Sequence, residues 1–108
     1  MNIKIEIKIK NKVKLLANAN LILLTNDFGW VSIKDFQIWE SNVYNKRLQD
    51  FINIKPPSVR VFGRYLDRIF FEDSEQWEIL EKLIFDAYKQ KQAELAPINY
   101  DAINNLSK

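Results

Sequence analysis

The residues of this chain best equipped for chemistry are three arginines at intervals of four, Arg60, Arg64 and Arg68. They lie in the segment F-I-N-I-K-P-P-S-V-R-V-F-G-R-Y-L-D-R-I-F-F-E-D-S, from Phe51 to Ser74. A guanidinium presents a planar fork of donors that grips a phosphate or carboxylate at two points, and Phe62 or Tyr65 beside them can stack on an unpaired base. Lys55 precedes the set, and Lys89 and Lys91 add cations further along. Arginine is used here although lysine is plentiful elsewhere in the chain, which favours a role for the fork rather than for charge alone. The alternative is that these arginines pair with Asp67, Glu72 or Asp50, or solvate an edge strand against aggregation.

The acidic group Glu72, Asp73, Glu75 and Glu78 invites a metal or paired-carboxylate reading. The start of a helix attracts carboxylates in any case, because its unpaired N–H groups carry partial positive charge. The chain has no His and no Cys, so imidazole-dependent catalysis, thiol nucleophiles, disulfides and the usual zinc sites are excluded. The expectation is a binding protein with no catalytic residue, no metal and no cofactor. Without disulfides it suits a reducing cytoplasm. The N-terminus M-N-I-K-I-E-I-K-I-K has a charge at every second position, unlike the unbroken apolar stretch of a signal peptide. No apolar run approaches the ~20 residues of a membrane span.

Net charge is only +2, but it is unevenly spread. Residues 1–14 hold five Lys against Glu6, and residues 46–68 hold six Lys or Arg against two Asp. Residues 72–94 hold three Lys against seven acids. Ile3, Ile5, Ile7 and Ile9 alternate with charges, which predicts a strand with one buried face. Val13 to Thr25 and Trp30 to Trp39 predict two more, joined by a turn over Asn26 to Gly29. Asn11-Lys12 is a short turn, and Ser41 to Asp50 is a loop. Phe51 to Ile54 forms a fourth strand, ended by Pro56-Pro57, and Tyr65 to Phe71 a fifth. Asn18 and Asn20 share one face of the second strand and are either solvent-facing or part of a dimer seam. Trp77, Leu80, Leu83, Ala87 and Tyr88 form one stripe of a helix capped by Asp73 or Ser74 and stopped by Pro97. The fold class is α+β: an antiparallel meander of about five strands with one C-terminal helix packed on it. A single domain spans residues 1–96, with a polar tail over 97–108.

The order of these pieces resembles the SpoVG family of small bacterial regulators. The resemblance rests on V-K-L-L-A-N-A-N-L-I-L, G-W-V-S-I-K-D-F-Q-I, the Pro57-Ser58-Val59-Arg60 ending of F-I-N-I-K-P-P-S-V-R, and the W-x-x-L-x-x-x-I-x-x-x-Y helix. It covers roughly residues 5 to 90. It implies a cytoplasmic homodimer with strands exchanged between protomers that binds DNA or RNA and regulates septation, sporulation or gene expression. The candidate nucleic-acid contacts are Arg60, Arg64, Arg68, Lys55, Lys89 and Lys91. Family members also carry basic residues on or beside the terminal helix; here that helix is mostly acidic and offers Lys82, Lys89 and Lys91. The alternative function is a protein-interaction module, such as a phage or mobile-element protein using the same scaffold to bind a protein target.

Overall fold

A computed structural model of the chain describes residues 2–95; the tail expected over 97–108 and the stop at Pro97 lie outside the described residues. Four strands pair in sequence order as an antiparallel meander: β1 (Ile3–Lys12), β2 (Leu15–Thr25), β3 (Gly29–Asn45) and β4 (Asp50–Lys55). A separate two-stranded hairpin follows, β5 (Ser58–Val61) with β6 (Arg64–Asp67), and then α1 (Ser74–Leu95). The class is α+β, as the residue pattern implied.

The alternation in β1 to β4 sorts side chains cleanly. Ala17, Ala19, Leu21, Phe36, Ile38, Ile52 and Ile54 are buried on one face, with Ile3, Ile5, Ile7 and Ile9 half-buried beside them. The helix lays Ile84, Phe85 and Tyr88 into this core, with Trp77 and Leu80 packed against it. Its N-terminus is capped by Asp73, whose Oδ1 accepts hydrogen bonds from the N–H groups of Glu75 (3.1 Å) and Gln76 (3.2 Å).

Three local expectations are corrected. The first turn falls at Val13-Lys14 rather than Asn11-Lys12: β1 runs on to Lys12, which pairs with Leu15, and Val13 takes a left-handed φ of 52°. The segment Ser41–Asp50 is only partly loop. β3 continues through it to Asn45, which pairs with Asp50. The Asn45 Oδ1 then closes the turn by accepting from the N–H groups of Arg47 (3.0 Å) and Leu48 (3.1 Å). Finally, Tyr65 to Phe71 is not a fifth strand of the main sheet. Two consecutive prolines cannot extend the β4 ladder, so the chain leaves the sheet and pairs with itself. Only Arg64–Asp67 is strand, and Phe71 turns inward.

Asn20 also finds a purpose. Two residues of β3, Lys34 and Asp35, lie opposite it, a bulge in which Asp35 has a φ of 71°. The Asn20 Oδ1 accepts the freed Asp35 N–H at 3.1 Å. Asn18 buries its Oδ1 with no hydrogen-bond partner among the described residues, and nothing in the structure accounts for it.

One buried charge fastens the helix to the sheet. Glu81 is 3% exposed at the side chain, and Arg47 from the β3–β4 turn reaches it with both ends of its fork, Nε to Oε1 at 3.1 Å and Nη2 to Oε2 at 3.2 Å. Removing one partner of such a pair leaves a desolvated charge unmatched. Arg47→Ala should therefore cost about 2–3 kcal/mol of stability, read from the midpoint of chemical denaturation. Arg47→Ala combined with Glu81→Leu should recover much of that loss. A single-variant cost below about 0.5 kcal/mol would show that the pair behaves as an ordinary surface bridge.

Candidate nucleic-acid interface

The β5–β6 hairpin is built by its turn. In β5 and β6, Ser58 faces Asp67, Val59 faces Leu66, Arg60 faces Tyr65 and Val61 faces Arg64. The loop is the two residues Phe62 and Gly63, at φ 49° and 79°. Positive φ at both central residues is the type I′ geometry, whose twist matches that of antiparallel strands. Glycine adopts it freely at the second position. Phenylalanine at the first does so at a cost of roughly 1–2 kcal/mol.

The base of the hairpin is held at three points. The Arg68 N–H donates to the Pro57 carbonyl at 2.6 Å. Gln37 on β3 donates from Nε2 to Ser58 Oγ at 3.2 Å, while its Oε1 accepts from Trp39 Nε1 at 2.9 Å. Behind β6, the Phe71 and Trp77 rings meet at a tilt (5.1 Å between centroids) and pack on Phe36 at 6.1 and 6.4 Å. Beyond this base every residue from Val59 to Arg68 is exposed, so the hairpin is an arm.

Pairing and alternation give the arm two different faces. Arg60 and Tyr65 share one with Ser58 and Asp67; Val59, Val61 and Leu66 share the other with Arg64. Regular spacing suggested three arginines acting together, whereas the strands place Arg60 and Arg64 on opposite faces, with Arg68 back at the base. None of the three takes part in an ion pair among the described residues. Asp50, one of their suggested partners, is bound to Lys89 at 2.8 Å.

Lys55 ends β4, opposite Gln37, and so sits where the arm begins. It closes a row across the helix-free face of the sheet, Lys8–Asn18–Gln37–Lys55. Lys4 lies on the same face with its Nζ 5.6 Å from the Trp30 ring centroid. The helix lysines do not join this group. Lys89 is committed to Asp50 and lies over the Phe85 and Tyr88 rings at 5.5 and 5.9 Å. Lys91 lines a groove with Ile5, Glu6 and Ile7 against the second half of α1. It stands 17 residues beyond the start of the helix, roughly 25 Å along its axis.

The chain matches no protein-family model, no curated protein and no solved structure. No group of three or more His, Cys, Asp or Glu among the described residues is placed to hold a metal ion. Two of the four acids that suggested one are otherwise engaged: Asp73 caps α1, and Glu78 faces Arg47 at 4.0 Å. No described helix is long and apolar enough to cross a membrane.

Pattern reading missed Arg47, Glu81 and the Asp50–Lys89 bridge. A Glu within an apolar stripe is the signal that points to a buried partner, but its partner comes from a turn over thirty residues earlier. The Lys89 ammonium holds the Asp50 carboxyl below the usual carboxylate range. With a depressed folded pKa, Asp50 contributes stability above its unfolded value near 3.9 and loses it as pH falls through the folded one. Lys89→Met should thus lower stability by up to about 1 kcal/mol at neutral pH and converge with the parent protein near pH 2, measured by denaturation at each pH. A gap that persisted at pH 2 would mean Lys89 acts through its packing on Phe85 and Tyr88.

Proposed function

We propose that this chain is a SpoVG-like regulator that acts as a cytoplasmic homodimer and binds DNA or RNA through the β5–β6 arm. The observation that carries the reading is the set of cations on and beside that arm. Arg60, Arg64, Arg68 and Lys55 are exposed and lack carboxylate partners among the described residues. The one arginine outside the arm, Arg47, is tied down by Glu81, and two helix lysines are paired as well, Lys89 with Asp50 and Lys82 with Asp86. Unpaired guanidinium groups on a projecting ribbon suit a polyanion, since each phosphate contact also releases condensed counterions. Lys89 is engaged inside the fold, and Lys91 is remote from the arm; neither belongs to the proposed contact.

The apolar face of the arm supports the dimer. A lone two-stranded hairpin is marginal in water, and Val59, Val61 and Leu66 are left open on one side of it. A second copy pairing there would cover both arms by the same contact, as a two-fold interface requires. The same face underlies a second reading, a module that docks a different protein. Recovery of one stoichiometric protein partner, with no retardation of DNA or RNA at low salt, would favour it.

The expected results are specific. Replacing Arg60, Arg64 and Arg68 together by Ala should leave the fold intact and abolish most binding. The slope of log affinity against log salt should fall by about two to three units. Leu66→Asp should shift the protein from dimer to monomer in analytical ultracentrifugation. An unchanged salt slope in the triple variant would remove the arm from the binding site.

A further inference from the structure

Phe62 breaks a local rule without any internal compensation. It occupies the first loop position of a type I′ turn with φ 49°, where Asn, Asp or Gly is favoured and a bulky aromatic is strained. Its side chain is as exposed as a residue can be, and it stacks on no other ring among the described residues. Strain and fully exposed apolar surface at one residue, with no ring stacked on it among the described residues, indicate a contact outside the fold.

The surroundings specify what that contact is. Tyr65 is also exposed and lies directly opposite Arg60, while Arg64 follows Gly63 immediately. An aromatic ring flanked by guanidinium groups suits a ligand with flat π-faces joined by negative charges. A base inside a duplex has its faces covered by its neighbours, whereas an unpaired base offers both. We infer that the arm tip is a stacking platform for single-stranded nucleic acid: Phe62 and Tyr65 each take a base, and Arg60 and Arg64 hold the adjoining phosphates. This rests on the nucleic-acid reading above and narrows it to unpaired strands.

Two faces of the arm allow this to coexist with a dimer. The apolar side, Val59, Val61 and Leu66, is separate from the Arg60–Tyr65 side; Arg64 lies on the apolar side, but in the pair that closes the turn, beside the tip. A dimer would then present two such platforms to one strand.

The test uses the full chain and fluorescence anisotropy with three labelled probes: a 20-nucleotide oligo-dT, the matching oligo-rU and a 20-base-pair duplex. Phe62→Asn suits the left-handed turn and should leave thermal stability equal or higher. It should weaken binding to the single strands about ten- to a hundredfold while leaving the salt slope unchanged. Tyr65→Ser should act in the same direction. The parent protein should prefer either single strand to the duplex. Undiminished single-strand binding by Phe62→Asn, alongside loss in the triple arginine variant, would overturn the platform and leave the nucleic-acid reading standing. Tighter binding to duplex would do the same. No binding of any probe by the parent protein would overturn both.

Discussion

The packing of Phe71 and Trp77 against Phe36 fixes where the chain between β4 and α1 can go. Pro56-Pro57 sends the backbone out of the sheet because it offers no donors for a ladder. The aromatic stack brings it back at the start of the helix. Everything between these points has to satisfy its own backbone, and a hairpin does so with the fewest residues. The two-residue turn at Phe62-Gly63 and the bond from Arg68 to the Pro57 carbonyl complete it. The arm is therefore a consequence of how the core closes, and its exposed cations follow from that placement.

Charge is divided between two jobs. Where α1 meets the sheet, cations neutralise acids: Arg47 joins the nearly enclosed Glu81, and Lys89 joins Asp50. Both bridges tie the helix to the β3–β4 connection, so they set the position of the layer that covers the core. On the arm and along the outer sheet face, cations have no such partners among the described residues. The acid-rich helix is in part explained by this arrangement. Some of its acids serve the fold, and the proposed binding surface lies elsewhere.

Much of the fold was legible because each signal was local. Alternating Ile in β1, the turn residues of Asn26–Gly29, the double proline and the Asp73 cap each act within a few positions, and each behaves as its chemistry requires. What escaped depended on distant pairing. The stretch Ser41–Asn45 looks polar, yet it is strand because β3 continues its ladder to meet Asp50. The bulge at Asp35 could not be read from its own residues, since it is stabilised by Asn20 across the ladder. At the candidate site, the arginines were visible as a group, but their spacing alone does not say which side of a ribbon each one occupies. Only the strand register shows that Arg60 and Arg64 point to opposite sides. Lys89 was indistinguishable from a free cation until Asp50 was seen beside it.

The central claim is that ligand meets the arm and not the sheet or the helix. The most direct measurement is a two-dimensional 15N–1H NMR titration of the labelled protein with a short oligonucleotide at low salt. Shift changes should concentrate on Arg60 to Leu66 and on Lys55, with small or no changes at Ile84 to Tyr88. Changes centred on Lys4 to Lys12 or on the helix around Lys89 and Lys91, with the arm unmoved, would contradict it.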